Sequence, residues 1–561
     1  MSQVRRLDQI PDAQPLSADD QFPVWQKGRT RIGRVSDLVV AAGTDAATKV
    51  VLPTRATLFV DQVSNTSDAA KIAAGNPVGD EIIAQSTTQR SGASTRARRL
   101  NVKSLDRPDL RDWADVDFTG ANSSLASFRA AIEQTSNAGY SLNVSEGIIS
   151  LDGNILVPNG LRIQGQGSEI GGGIASAPGR GTWLRIAHSS DAFTFTNAAG
   201  RGSIIKGLGL FRMQPAIAGT FLPGDFGWDF NITADDVTIE DVFCQNPTRL
   251  LRLSGGAGRL ALNRLRGQPL VTGLDFFASL DTNRADNVHF WPFYSSDQKV
   301  FDWMLGNADA YVLRRVDNPM LGKLFALGYR SAVRLMNGSG PITGATSKAK
   351  IDQLDADYCA ASVIVDADVS NSRLDIGMFS TQQPDNYTVP QHSIVMQGAN
   401  NTLRIHASSF DELQAGALIS TAGSGNLTVI DSPRVGTLNK AGTGAVAFNA
   451  TGTGNRAIIT GRVQNTGTTT LAAGAVALPD IVGSVSGTTD ASGDLTVTFA
   501  KPYGIPPDSV MVNDTAGSIL FMQVFSRTAT GFKVRYRNAS NAIVAGQAVA
   551  IDYRAAFGPT L

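Results

Sequence analysis

The stretch DNVHFWPFYSSDQKVFDWMLGNADAYVLRRVDNPMLGKLFALGYRSAVRL, residues 286–335, decides the fold. It opens on Val288-His289-Phe290-Trp291, where a strand puts Val288 and Phe290 on one face and His289 and Trp291 on the other. Pro292 removes a ladder donor, so this strand is short and runs into a loop. Similar apolar runs follow at Ala310-Tyr311-Val312-Leu313, Leu324-Phe325-Ala326-Leu327 and Ala332-Val333-Arg334-Leu335. Asp317-Asn318-Pro319, Gly328 and Asn337-Gly338 punctuate them. Short strands, frequent turns and no helix between them point to a coiled sheet, not a sandwich or an α/β layer.

The same texture extends on both sides. From about 200 to 475 the chain alternates short strand and turn, as in Ile204-Ile205-Lys206, Val237-Thr238-Ile239-Glu240-Asp241-Val242, Leu374-Asp375-Ile376 and Leu403-Arg404-Ile405. Starts of the later runs lie mostly about 10 to 24 residues apart, which fits one or two strands per turn of a parallel coil. No fixed sequence repeat is visible. An antiparallel array is the competitor, and the scarcity of Asn-Gly turns between strands weighs against it. Upstream, Leu125, Phe128, Ala131 and Ile132 have helical spacing, with Ser123 or Ser124 to cap and Gly139 just past the end. Strands follow around Leu142, Ile148, Ile155 and Ile163. Such a helix would cover the apolar end of the first turn.

Both ends of the chain differ from this body. Near the N-terminus, residues 22–26 and 29–35 read as a hairpin turning at Lys27-Gly28. Residues 67–74 read as a short capped helix, and 80–89 as another. Arg96, Arg98, Arg99 and Lys103 then form a basic cluster, read as a solvated linker face or a contact with an acidic partner. The last eighty or so residues carry clean period-2 strands, DLTVTF (494–499), GFKVRYR (531–537) and VAIDYRA (549–555), at sandwich-like intervals. The organisation is therefore 1–65 a small module, 66–108 a neck, 109–478 the coil with its capping helix, and 479–561 a β-sandwich.

Bulk properties narrow the function. Lys+Arg and Asp+Glu both number 49, and a net charge of zero argues against nucleic acid as the main partner. No apolar run reaches the ~18 residues of a membrane span, and no apolar stretch follows the basic N-terminal residues, so no signal peptide is read. Cys244 and Cys359 read as buried, reduced thiols. The four histidines, His188, His289, His392 and His406, have no ligand spacing, so neither a metal nor a cofactor is expected.

Three segments carry a resemblance. DNVHFWPF followed by RRVDNPMLGKLFALGYRSAVRL resembles the right-handed parallel β-helix tailspike proteins of tailed bacteriophages. D-x-F-P-V-x-Q-x-G-x-T, beginning at Asp20, resembles the N-terminal virion-attachment segments of phage tail fibres and spikes. The C-terminal strand series is similar to the β-sandwich domains that end such fibres, where they serve trimerisation or carbohydrate contact. The helix that feeds strands resembles the start of pectate-lyase-like β-helices. This resemblance implies an all-β fold, a right-handed parallel β-helix solenoid with a small N-terminal adaptor and a C-terminal β-sandwich, assembled as a homotrimer. It further implies a virion protein made in the host cytoplasm, joined to a phage tail or baseplate protein through its N-terminal module. The other partner would be host surface polysaccharide, lipopolysaccharide or capsule.

A β-helix that cleaves glycans needs two carboxyl groups on its outer surface, ~5–5.5 Å apart for retention or ~6.5–9.5 Å for inversion. Lyase chemistry would use a Lys, Tyr, His or Arg base instead. Among the scarce glutamates, Glu240 stands out, because the alternation sends Val237 and Ile239 inward and Glu240 outward. Asp317 and Asp302 are its candidate partners on neighbouring rungs; the plainer reading of Glu240 is a solvated rung, and of the aspartates, turn-capping. His289 and Trp291 share outward parity and suit either a sugar platform or a subunit contact. Trp228, Tyr294 and Trp303 are further stacking candidates. Two rival functions remain: a non-enzymatic receptor-binding fibre of the same fold, and a secreted polysaccharide lyase unrelated to phage.

Overall fold

The computed structural model describes strands Gln21–Gln26, Arg29–Arg34, Asp80–Ala84 and Ala97–Asn101. It then describes residues 108–557 apart from 114–115, 138, 171–177, 340–341, 384–391, 412–417, 436–445, 451, 462–463, 466–469, 475, 501–505 and 518–519. Gln21–Gln26 pairs antiparallel with Arg29–Arg34, the hairpin expected from the sequence. The helix expected over 80–89 is instead the strand Asp80–Ala84, paired antiparallel with Ala97–Asn101. β-Branched Ile82 and Ile83 favour that outcome, and Arg98 and Arg99 of the basic cluster lie on the partner strand. The helix expected over 67–74 lies outside the described residues, as do Arg96 and Lys103.

The chain divides into two units, residues 1–214 with 225–247, and residues 215–224 with 248–561. In the first, helix α1 (Leu125–Asn137) buries Phe128, Ala131 and Ile132. The amide of Leu125 donates to Ser123 Oγ, and that of Phe128 to Ser124 O, so the two serines share the cap. Parallel ladders follow. Gly147–Leu151 pairs with Pro178–Ile186, and that strand with Gly209–Arg212. Arg162–Gln164 pairs with Ile204–Lys206, and that strand with Thr238–Cys244. A second sheet stacks Ile155–Leu156, Phe193–Phe195 and Trp228–Ile232, also parallel. Inward residues stack rung on rung, with Phe193 and Phe230 centroids 5.6 Å apart and Trp183 and Phe243 5.5 Å apart.

The second unit repeats the plan at greater length. Its first sheet runs through Ala261–Gly267, Arg284–Asp286 with Val288–Phe290, Met320–Leu327, Ala349–Asp357, Arg373–Gln382, Thr402–Asp411, Leu427–Asp431 and Arg456–Thr460, all parallel. Its second sheet runs through Arg249–Leu253, Thr272–Ser279, Asp309–Val316, Ser331–Met336, Ala361–Val365, Ile394–Met396, Ile419–Thr421 and Val446–Ala450, again parallel. Each rung therefore gives one strand, or two short ones in line, to the first sheet and one to the second, and closes its apolar core between them. Both units are parallel β-helices. Their crossovers take the right-handed sense that strand twist favours.

Two features of this unit depart from the sequence reading. Helix α2 (Gln298–Asn307) interrupts the stretch in which no helix was expected. Asp297 caps it by accepting from Lys299 N, and Val300, Met304 and Leu305 are its buried face. A short repeat also exists. Asn401, Asn426 and Asn455 stack on successive rungs, each Oδ1 accepting an amide of the rung before it, from Ser372, Asn401 and Asn426 in turn, at 2.9 Å. Gly398, Gly423 and Gly452 stand three residues ahead of these asparagines. A Cβ on any of them would lie 1.7–2.1 Å from a carbonyl oxygen of the preceding turn, so only glycine fits. Cys244 and Cys359 are free and buried, as read from the sequence.

The strand Val476–Thr488 begins in the first sheet, pairing parallel with Arg456–Thr460, and ends antiparallel to Ala548–Phe557. Ser509–Asp514 pairs with the other edge of Ala548–Phe557. A second antiparallel sheet, Asp494–Thr498, Gly531–Arg537 and Phe521–Thr528, packs against the first. Phe532 and Phe499 meet Tyr553 across this core, with centroids 5.3 and 6.2 Å apart. This is the β-sandwich expected at the C-terminus.

Candidate functional site

The alternation that opens the 286–335 stretch places its residues as expected. Val288 and Phe290 are buried, and His289 is half-exposed on the outer side of the first sheet. Beneath it, Phe290 stacks on Tyr311 at 5.1 Å, which fixes the rung from inside. The parallel register sets His289 beside Arg266 on one side and Phe325 on the other. The rings of His289 and Phe325 meet edge to face at 4.8 Å, and Phe293 reaches His289 at 5.5 Å. Trp291 joins through Phe293, at 5.4 Å. Buried Gln268 braces this turn: its Oε1 accepts the amides of Tyr294 and Ser295, and its Nε2 donates to Ser295 O. His289 and Trp291 thus belong to one aromatic shelf, and Tyr294 lies on the turn that follows it. Burial, and then the charge of Arg266, hold the His289 pKa below its ordinary value; burial raises that of Tyr294.

The next rung brings carboxylates that the sequence reading passed over. Phe325 stands in register with Asp355, and Leu327 with Asp357, both on strand Ala349–Asp357. Ser380 of the following rung is in register with Asp355 and hydrogen bonds to it. Burial raises the Asp355 pKa against that hydrogen bond. Asp357 is raised by burial and then by the negative charge of Asp355, while the amide of Tyr358 opposes the shift. Asp357 Oδ1 is buried without a hydrogen-bond partner. Tyr358 carries a positive φ of 48°, unusual for a bulky side chain, and the residue is exposed. Two carboxyl groups that resist joint ionisation, beside an aromatic shelf, are the ingredients of general acid–base work on a sugar.

The remaining candidates sit apart from this shelf. In the first unit, Glu240 points outward as expected, with Oε2 3.2 Å from Lys206 Nζ on the adjacent strand. Trp228, in the same unit, starts a strand and donates its amide to Asp191 Oδ1 at 2.8 Å. In the second unit, Asp302 lies on α2 and accepts from Gln298 Nε2 at 2.8 Å, so it is a helix residue and not a rung residue. Trp303, also on α2, donates its indole N–H to Leu270 O at 3.2 Å. Asp317 pairs with Arg315 in the turn that leaves a second-sheet strand. Among the described residues no group of three or more His, Cys, Asp or Glu is placed to hold a metal ion, and no helix is long and apolar enough to cross a membrane.

No protein-family model matches the chain, and no curated protein matches it. Solved structures similar to it include the tailspike protein gp49 of Pseudomonas phage LKA1, at 11% identity and a TM-score of 0.48 over 81% of this chain and 100% of that one. The tailspike gp61 of Pseudomonas phage phi297 is similar at 12% identity and a TM-score of 0.39, over 81% of this chain and 99% of that one. The tailspike of E. coli bacteriophage HK620, solved in complex with a pentasaccharide, is similar at 10% identity and a TM-score of 0.40, over 88% of this chain and 100% of that one. The ladders described above, not these scores, define the fold.

Proposed function

We propose that this protein is a phage tailspike that binds bacterial surface polysaccharide on the outer side of its first sheet and hydrolyses it with Asp355 and Asp357. The observation that carries the reading is that carboxyl pair, half-buried, raised in pKa and abutting the shelf of Phe325, His289, Phe293 and Trp291. Asp355 and Asp357 leave the same face of one strand with their backbones about 6.6 Å apart, and carboxyl groups ~6.5–9.5 Å apart leave room for an attacking water that inverts the anomeric centre. In this assignment Asp357, whose proton Asp355's charge helps retain, protonates the leaving oxygen. Asp355, steadied by Ser380, activates the water. Trp228, Trp303 and Tyr294 remain stacking candidates, and Glu240, Asp302 and Asp317 fall behind the new pair because each already has a local partner or role.

The sequence resemblance at both chain ends supports the rest of the reading. The protein is a homotrimer of the virion, made in the host cytoplasm and joined to a tail or baseplate protein by its N-terminal module. It inserts in no membrane and takes no nucleic acid as its main partner. Incubation with purified bacterial surface polysaccharides tests the chemistry. New reducing ends without unsaturated-uronate absorbance are expected, and Asp357→Asn should slow their release about 10²–10⁴-fold. The absorbance would indicate a lyase. Binding without either signal would make the protein a receptor-binding fibre, and a stable monomer in sedimentation would remove the tailspike reading.

A further inference from the structure

Asp357 is the last residue of its strand, and the residue after it sits in an unfavourable backbone. Tyr358, at φ 48°, lies in the left-handed region, where a β-carbon crowds the following carbonyl oxygen. Gly, Asn and Asp enter that region at least cost. Among the described non-glycine residues with a positive φ, Tyr358 is the one aromatic. The turn asks for this conformation but not for the ring. One rung earlier, Leu327 is in register with Asp357, and Gly328 follows it at φ 81°, donating its amide to Asp357 O at 3.1 Å. One rung later, Gln382 is in register with Asp357, and Gln383 after it is buried. Between a glycine and a buried glutamine, Tyr358 is the side chain of this column that reaches solvent.

The neighbouring turn shows where it points. A β-carbon on Gly328 would fall 2.5 Å from Phe301 Cε1, so the ring of Phe301, half-exposed on α2, covers that turn. Stacked turns with left-handed backbone at matching positions send their side chains the same way, so Tyr358 leaves the coil on the side where Phe301 lies. We infer that Tyr358 is a specificity-determining residue of the cleavage site, its ring seating the sugar that departs with the leaving oxygen. The assignment rests on the reading of Asp355 and Asp357 as the hydrolytic pair. Along the chain Asp357 stands between Asp355 and Tyr358, and the acid of such a pair faces the leaving oxygen. The next ring of the polymer on that side therefore meets the residue beyond the acid. An aromatic ring packs on the apolar C–H face of a sugar without needing a charge there. A costly backbone kept beside a carboxyl pair, where glycine serves the rung before, marks a position held for its side chain.

The test separates this inference from the hydrolytic reading. The full-length protein is incubated with purified bacterial capsular and O-antigen polysaccharides. On one that it cleaves, reducing-end release is followed against concentration and pH for Tyr358→Phe, Tyr358→Asn and Tyr358→Gly. Asn and Gly both suit the left-handed turn and keep its amide, so the two variants check each other. Tyr358→Phe should match the native chain. The other two should raise KM about tenfold, with kcat changing less than about threefold. The pH dependence should not move, because the charge that acts on Asp357, that of Asp355, is untouched. The inference is overturned if Tyr358→Asn and Tyr358→Gly keep the native KM, or if Tyr358→Phe loses as much as they do. It is also overturned if the pH profile shifts with the loss, which would make Tyr358 a prop for the Asp357 carboxyl. Native KM in these variants, with cleavage lost in Asp357→Asn, would leave the hydrolytic reading standing without this inference. Binding without cleavage, weakened about tenfold in Tyr358→Asn, would keep Tyr358 as a sugar seat and remove the hydrolytic reading.

Discussion

On the outer side of the second sheet, Asp275 sits between Arg252 and Arg314, both poised over Phe277 at 4.5 and 5.7 Å. Asp309 there accepts from Arg330, Arg334 and Ser331, and Arg334 bridges on to Asp366 at 2.9 Å. On the outer side of the first sheet, in the same unit, the aspartates of one strand face each other. Burial raises the pKa of Asp275 and of Asp357 alike. The next largest influence is Arg314's positive charge for Asp275, which lowers it, and Asp355's negative charge for Asp357, which raises it further. The contrast separates two uses of charge on one scaffold. Matched ions brace the second sheet, while like charges held together on the first raise a carboxyl pKa at a cost in stability.

The comparison breaks most severely if Asp357→Asn leaves cleavage intact. The expected outcome is a fall of about 10²–10⁴-fold in the rate of reducing-end release, with binding to the same polysaccharide retained. On the second sheet, Asp309→Ala should act on stability alone, lowering it by about 2–3 kcal/mol after allowance for the partly exposed arginines. Denaturant unfolding measures that loss, and cleavage per folded molecule should not change. Asn426→Ala removes an acceptor for Asn401 N and a donor to Gly398 O, and should cost about 2 kcal/mol. The substitution Asn426→Asp, which keeps the acceptor but turns an oxygen toward Gly398 O in a buried site, should cost at least as much at pH 7.

The smallest effect sharpens the contrast through pH. A carboxyl whose folded pKa is raised favours folding when protonated, so its contribution is full below the unfolded value of ~3.9 and is lost as pH rises through the raised one. Asp357→Asn should therefore raise the melting temperature at pH 7 by about 1 °C, with the gain vanishing near pH 3. Cleavage by the native chain should fall on the alkaline side, as Asp357 loses the proton it donates.

The fold was legible because period-2 alternation survives wherever a rung is buried on one face. Val288 and Phe290 show it, as does the outward Glu240. The β-sandwich announced itself the same way, through Phe532, Val534 and Tyr536 against Lys533, Arg535 and Arg537. Helix α2 was missed because Gly306 and a run of polar residues disguise the spacing of Val300, Trp303 and Met304. The strand over 80–84 was missed because its partner lies a dozen residues downstream. The carboxyl pair was invisible for a different reason. In IDQLDADY, residues 351–358, aspartates at alternate positions look like any solvated strand face. What raises Asp355 and Asp357 is burial among rungs distant in the chain, Phe325 coming from thirty residues before Asp355, and for Asp357 also the charge of Asp355; Ser380, from twenty-five residues later, opposes the shift of Asp355. The asparagine stack was open to detection, since Gly-Ala-Asn-Asn at 398, Gly-Ser-Gly-Asn at 423 and Gly-Thr-Gly-Asn at 452 share a frame that irregular spacing hides.

The strand Val476–Thr488 leaves the coil by changing its partner from parallel to antiparallel. A stack of parallel rungs otherwise ends in a row of free amide and carbonyl groups, a template on which the next molecule's first rung could grow. Here the strand that ends the first sheet runs on into the sandwich, where its residues 478–488 pair with Ala548–Phe557. The coil's last first-sheet strand is therefore covalently an arm of another domain, and a second molecule's rung could not add to that edge in continuous register.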